Sequence, residues 1–137
     1  MKINIKRIND AFNMEATNED GNSIMLDGSP DIGGEGKGMR PMQLLLAAVG
    51  GCSAIDILLI LKKQKQIIES FEIEVDGERE KMEDYSLFKK IELHFIITGQ
   101  LEVAKAERAI KLSLDKYCSV AKTLEPTATI THRLTIK

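Results

Sequence analysis

The sequence has few of the residues that hold metals and no basic block that would bind a polyanion. It contains two cysteines, Cys52 and Cys118, and two histidines, His94 and His132, neither of which lies at a spacing typical of a zinc ligand set. Lys and Arg total 19 against 21 Asp and Glu, which gives a formal net charge of -2, and the basic residues are spread along the chain. We therefore expect no metal, no cofactor and no nucleic-acid partner.

The sequence also lacks a secretory signal and a convincing membrane span. Residues 1–7 alternate apolar and polar side chains and contain no apolar core of the length that a signal requires. The most apolar run, residues 44–61, approaches the length of a spanning helix, but Asp56 in its middle would cost about 2.5–3.5 kcal/mol in a bilayer. We expect a cytoplasmic chain without membrane contact and, among reducing thiols, without a permanent structural disulfide.

The length and the hydrophobic periodicity predict one α+β domain that covers residues 1–137. Three strands, a glycine-rich loop and a helix come first, then two strands, two helical segments and a final strand. The predicted ranges are strands at 2–7, 11–17 and 22–27, a helix at 41–65, strands from 69 onward with a connection at 77–85, helical segments from 101, and a strand at 127–136. This order favours a curved antiparallel sheet against a long helix that is buried all round.

The glycine-rich segment, residues 28–38, is predicted to be a flexible loop, and mobile loops of this length usually have a function. It does not match the phosphate-binding loop, because Asp31 stands where that motif needs glycine and Gly38 follows Lys37 in place of Ser or Thr. A nucleotide site is therefore excluded here.

Cys52 stands inside the predicted helix, directly after Gly50 and Gly51, and two mid-helix glycines cost about 2 kcal/mol relative to alanine. Either another helix crosses closely at this point, or open space lets a ligand approach the sulfur. A buried cysteine that acts as a small apolar residue is an equally simple reading. Asp56, one turn later on the same face, disfavours a thiolate unless a cation compensates its charge. The candidate cations are Arg40, Lys37 and Arg7.

Cys118 stands at the predicted junction of two helical segments, where unpaired backbone N–H groups lower the pKa of a sulfur. The alternative interpretation is that Cys118 is an unreactive residue that packs in the core. His94 and His132 alternate with apolar residues in predicted strands, so we expect them to face away from the apolar side of the sheet and to have no catalytic part.

Three segments of the chain resemble the OsmC/Ohr family of osmotically inducible and organic hydroperoxide resistance proteins, and are most similar to its OsmC-like subgroup. They are residues 40–44 (RPMQL), residues 47–56 (AAVGGCSAID) and residues 116–120 (KYCSV). The resemblance implies the OsmC-like fold, with antiparallel sheets wrapped around a long central helix. It also implies an intertwined homodimer with two active sites at the subunit interface, each built around a pair of cysteines.

By this resemblance, Cys52 would be the peroxidatic thiolate that reduces an organic hydroperoxide and becomes a sulfenic acid, and Cys118 would resolve it as a disulfide. A dithiol, such as a lipoyl group, would restore the thiols. Arg40 would stabilise the thiolate and donate to the leaving oxygen. The residues expected to line a pocket for the small hydrophobic peroxide are Met42, Gly51 and Asp56.

The chain departs from the family pattern after Pro41. Peroxidase members carry Glu directly after this proline, where Met42 stands, and the OsmC-like subgroup often carries one at the next position, where Gln43 stands. We expect Gln43 to be one of the catalytic residues, together with Cys52, Cys118 and Arg40. Its amide oxygen can accept a hydrogen bond, but unlike Glu it carries no charge. Three functions therefore remain open for the same pocket: a thiol-dependent reductase of organic hydroperoxides, a non-catalytic protein that binds a hydrophobic ligand, and a thiol-disulfide sensor.

Overall fold

The computed structural model describes residues 1–137, which form two compact units, Met1–Leu45 and Leu46–Lys137. The first unit contains a three-stranded sheet and the glycine-rich loop, and the second contains a second three-stranded sheet and most of the helical residues. Helix α1 (Pro41–Lys63) begins in the first unit and continues in the second. The chain is an α+β protein, as the order of predicted elements indicated, but it has two three-stranded sheets where that order favoured one curved sheet.

The first sheet is an antiparallel meander of β1 (Ile3–Arg7), β2 (Met14–Asn18) and β3 (Ser23–Leu26). The three predicted strands are confirmed to within three residues at each end. Ala16 at the centre of the middle strand is buried, whereas the isoleucines of the outer strands are largely exposed: Ile3, Ile5 and Ile24. One face of this sheet therefore leaves apolar side chains uncovered in the single chain.

The glycine-rich loop is organised around one buried carboxylate. Asp27 accepts hydrogen bonds from the backbone N–H groups of Gly28, Glu35 and Lys37. Asn13, also buried, donates to the backbone oxygen of Leu26 at 2.9 Å. The expectation of a flexible loop overlooked these bonds, because the residue that holds the loop stands just before it in the sequence.

The second sheet has the order β4 (Ile67–Lys81), β5 (Ser86–Gln100) and β6 (Thr129–Ile136). The first two strands pair antiparallel, and their connection is shorter than predicted, residues 82–85. The prediction of a purely antiparallel sheet was wrong, since β6 runs parallel to β5. The helices between these strands return the chain to the same end of the sheet, as a parallel connection requires. Alternate side chains of β5 form the core, namely Ile91, Leu93, Phe95 and Ile97.

Two short helices and a π-helical turn carry the chain from β5 to β6. Helix α2 (Val103–Leu112) passes into a π-helical turn (Ser113–Tyr117), and helix α3 (Ser119–Leu124) follows and ends shortly before Pro126. Ala106, Ile110 and Leu114, which lie at helical spacing along this segment, are buried, whereas Val103 and Tyr117 at its two ends are exposed. The wider π-helical turn changes the helical periodicity before Tyr117.

Within the second unit, helix α1 buries one face and leaves the other uncovered. Its buried residues are Val49, Gly50, Ser53, Ile57 and Leu61. Ile55, Leu58 and Leu59 are exposed, with Ile55 at 70%. The expectation of a helix buried all round is therefore not confirmed in the single chain. By length and composition α1 could cross a membrane, a test that the core helices of soluble proteins also pass.

Candidate active site

Three side chains that can act as nucleophiles or ligands meet in the second unit. The sulfurs of Cys52 and Cys118 and a carboxylate oxygen of Asp56 all lie within 4.8 Å of one another. Both cysteines are free thiols in the structure. The fold thus brings together two sulfurs whose residues are separated by 66 positions in the chain.

Helix α1 supplies two of these groups because residues four apart share one helical face. Cys52 and Asp56 are both half-buried, at the border between the buried and the uncovered faces. The cluster is therefore accessible from one side.

The two glycines before Cys52 have different structural roles. A Cβ on Gly50 would lie 3.0 Å from Cγ2 of Val75, so this glycine permits close packing of the helix on strand β4. Gly51 is exposed, and a Cβ there would meet nothing within 4 Å. The explanation by a crossing helix was wrong, since a strand packs against Gly50. The explanation by ligand access stays a prediction, to which the open space at Gly51 corresponds.

Cys118 is positioned by the π-helical turn and by the start of helix α3. Its backbone N–H donates to the carbonyl oxygen of Ser113 at 2.7 Å, and its sulfur accepts the backbone N–H of Ala121 at 3.4 Å. Cys118 is therefore the residue that caps α3, as its predicted place at a helix junction indicated.

The environment of Cys118 keeps its thiol protonated. Burial raises its pKa to about 11, and the nearby Cys52 adds to the rise, while the N–H of Ala121 lowers the pKa by less. The side chain is fully buried. The expectation that the helix start would lower this pKa was therefore wrong, because the loss of solvation exceeds the contribution of the N–H groups.

Ser113 is a site residue that the sequence analysis missed. It is completely buried, and its hydroxyl donates to Oδ2 of Asp56 at 2.9 Å. Its carbonyl accepts the N–H of Cys118, so one residue contacts both Asp56 and Cys118. The available signal was a serine between Leu112 and Leu114, seven positions after Ala106 and directly after the end of α2.

The candidate cations all lie in the first unit, and the contacts described for each are local. Arg7 donates through Nε to the carbonyl of Ala11 at 2.9 Å, and Nζ of Lys37 lies 3.7 Å from a carboxylate oxygen of Glu35. Arg40 is exposed, and its charge helps to hold the pKa of Asp31 below its ordinary value, after the larger effect of Ser29. Asp56 itself takes part in no ion pair.

Gln43 has a structural role at the start of helix α1. Its Oε1 accepts the backbone N–H of Arg40 at 2.9 Å, so the amide closes the first turn of the helix. Met42, beside it, is half-buried. The assignment of Arg40, Met42 and Gln43 to the reaction centre stays a prediction.

Both histidines make structural contacts. Nε2 of His94 lies 2.8 Å from Oγ1 of Thr135, and Nε2 of His132 lies 2.9 Å from a carboxylate oxygen of Glu107. His94 alternates with the buried Leu93 and Phe95, as predicted for a strand residue that faces away from the apolar side.

Comparison with known proteins places this chain in a family. Residues 34–133 match the family model described as OsmC-like protein. The chain is 45% identical over 113 residues to protein YhfA of Escherichia coli, an alignment that covers 82% of this chain and 81% of that protein.

Solved structures share the fold over nearly the whole chain. A hypothetical protein from Aquifex aeolicus is 29% identical with a TM-score of 0.80, covering 99% of this chain and 96% of that one. An organic hydroperoxide resistance protein from Legionella pneumophila is 20% identical with a TM-score of 0.73, covering 98% and 97% of the two chains. The family match, which includes both cysteines, confirms the resemblance noted from the sequence, and the chain belongs to the OsmC-like protein family.

Proposed function

We propose that this protein is a thiol-dependent reductase of organic hydroperoxides, with Cys52 as the attacking thiolate and Cys118 as the resolving thiol. The observation that carries the proposal is the approach of the two sulfurs to within 4.8 Å, with both cysteines present as free thiols. Two thiols at this separation can pass two electrons to a peroxide and form a disulfide without a large rearrangement.

The different environments of the two sulfurs support this division of roles. Cys52 is half-buried and stands beside the open space at Gly51, so a substrate can reach its sulfur. Cys118 is fully buried and has a raised pKa, so it is unsuited to meet a substrate first.

The proposed reaction has two steps. The Cys52 thiolate attacks the outer oxygen of the hydroperoxide, the O–O bond breaks, and the alcohol leaves with one proton while Cys52 becomes a sulfenic acid. The Cys118 thiol then attacks the Cys52 sulfur, which forms the S–S bond and releases water. A dithiol reductant, such as a lipoyl group, reduces the disulfide and becomes oxidised itself.

The apolar face of helix α1 supports an intertwined homodimer as the working form. Ile55, Leu58 and Leu59 are exposed beside the half-buried Cys52, and a contiguous apolar face of this kind is typical of a surface that a partner covers. A second copy placed there would enclose the sulfur in an apolar pocket that admits an alkyl chain. Burial of α1 in such a dimer also favours a core helix over a membrane span, and we propose a cytoplasmic protein on the ground that residues 1–7 contain no apolar core typical of a secretory signal.

Names of structural neighbours agree with the proposed substrate class. The Legionella protein and a protein from Elizabethkingia anophelis are both described as organic hydroperoxide resistance proteins. Their identities to this chain are 20% and 15%, so the likeness concerns the fold, and the pair of cysteines carries the chemical argument.

The test compares rates of thiol loss after the reduced protein is mixed with stoichiometric cumene hydroperoxide or hydrogen peroxide. We expect two thiols per chain to disappear, faster with the organic peroxide, and no rapid loss in Cys52→Ser. Thiols that persist with both peroxides would contradict the proposal and would favour a protein that binds a hydrophobic ligand. Equal, slow loss with both would favour a thiol-disulfide sensor.

A further inference from the structure

The cluster of Cys52, Asp56 and Cys118 has the composition of a metal site as well as that of a redox pair. We propose that, in the reduced protein, these three side chains bind one thiophilic divalent cation of the zinc class. The proposal uses the residues of the peroxide reaction but does not depend on that reaction. It replaces the expectation of no metal. That expectation was based on the spacing of the two histidines, which does not suit a zinc site, and it did not consider Asp56 as a ligand.

The distances suit a four-coordinate ion. Zinc bonds to sulfur and to carboxylate oxygen are about 2.0–2.3 Å long, which sets ligand atoms about 3.5–4 Å apart in a tetrahedron. The three ligand atoms here lie within 4.8 Å of one another, so shifts of about 1 Å would complete the geometry. Cys52 and Asp56 stand four residues apart on one helix, a spacing that directs both side chains to the same point.

The charges of the cluster favour a cation. An ion that displaced the proton of each thiol would be held by three negatively charged groups within 4.8 Å of one another, and Asp56 makes no ion pair that would compete for it. A divalent ion neutralises two of these charges. Two thiolates select soft ions such as zinc over magnesium or calcium, which prefer oxygen ligands.

The surroundings supply the outer contacts that metal ligands usually have. Ser113 donates to Oδ2 of Asp56 at 2.9 Å and leaves Oδ1 for an ion, and Ala121 donates to the sulfur of Cys118 at 3.4 Å. Cys52 and Asp56 are half-buried, so a water molecule can reach the fourth position. Three protein ligands with water in the fourth position are typical of catalytic zinc sites, whereas structural zinc sites have four protein ligands.

Binding and oxidation would exclude each other. The ion displaces two protons, one from each thiol, and the carboxylate binds as it stands. Oxidation removes two electrons from the two thiolates as the S–S bond forms, while the peroxide takes these electrons and two protons to become alcohol and water, and the ion is released. A bound ion would therefore hinder oxidation of the two thiols, and oxidation by the peroxide would release the ion.

The test is a cobalt titration of the full chain, reduced and freed of metal. We expect one Co²⁺ per chain, a sulfur-to-cobalt charge-transfer band, release of two protons, and displacement by Zn²⁺. The band separates this site from weak binding at the two His–Glu pairs, which contain no sulfur. Protein oxidised to the Cys52–Cys118 disulfide, which has the same sequence, should bind no cobalt with this band.

Variants test each ligand. Cys52→Ser and Cys118→Ser should weaken binding by more than about 100-fold, and Asp56→Asn by at least about tenfold while the band is kept. Asp84→Asn, the same change at an exposed turn residue, is the matched control and should bind as the wild type does.

Absence of the band in the reduced wild type, or unchanged affinity in Asp56→Asn, would overturn the proposal. The two proposals can fail separately. Thiols that react with peroxide in a protein that binds no cobalt would leave the reductase standing, and a cobalt site whose thiols resist peroxide would leave only the metal site.

Discussion

At the scale of single residues, Asp27 is the clearest case of a side chain that organises its surroundings. The backbone N–H of Lys37, together with those of Gly28 and Glu35, holds the pKa of this carboxyl below its ordinary value of 3.8, against an opposing effect of burial. Asp27→Asn should therefore lower the urea midpoint at neutral pH, because an amide oxygen accepts these bonds less strongly than a carboxylate does.

The pH dependence of this effect has a definite sign. Because the folded pKa is the lower one, the stabilisation by Asp27 is complete above the unfolded pKa and is lost as pH falls through the folded pKa. The difference between wild type and Asp27→Asn should shrink when the pH falls below about 3.8. Asp20→Asn, at an exposed turn residue, is the control and should change little. A wild-type advantage that stays constant down to low pH would contradict this account.

At the scale of elements, the substitution of glycine by alanine should change the stability of the protein differently at the two glycines of helix α1. Gly51→Ala should raise the free energy of unfolding by about 1 kcal/mol, because alanine favours the helix and a Cβ meets open space. Gly50→Ala gains the same propensity but crowds Val75 at 3.0 Å, so it should be less stable than Gly51→Ala by about 1–3 kcal/mol. Urea denaturation of both variants measures this difference, and equal stabilities would contradict the close packing on β4.

The elements that the sequence predicted are those with simple periodicity. The strands of both sheets, helix α1 and the helix junction at Cys118 follow from alternation, glycine placement and proline positions. The parallel pairing of β6 does not follow, since pairing direction depends on the path of the connecting helices. The role of Ser113 depends on a contact between residues 57 positions apart, which no local pattern encodes. The order of the loop comes from the side chain of Asp27, just before it, and glycine content alone does not show those bonds.

At the scale of the whole molecule, the uncovered face of α1 predicts a dimer, and a single charged residue introduced into that face should disrupt it. Ile55, 70% exposed in the single chain, would be buried in the proposed interface. Ile55→Glu should therefore convert the dimer to monomer, as measured by light scattering after size-exclusion chromatography. Lys111→Glu, a charge change at an exposed position of helix α2, should leave the dimer intact. A wild type that is monomeric, or an Ile55→Glu variant that stays dimeric, would contradict this interface.

The central claim concerns the whole reaction, in which two residues from distant parts of the chain act as one thiol pair. The most direct test is mass spectrometry of the reduced protein after one equivalent of an organic hydroperoxide, with peptide mapping of the product. The account predicts loss of two hydrogens per chain and a disulfide within one chain between Cys52 and Cys118, and in Cys118→Ser a sulfenic acid on Cys52 that a trapping reagent captures. An unmodified chain, or oxidation that leaves Cys52 untouched, would contradict it.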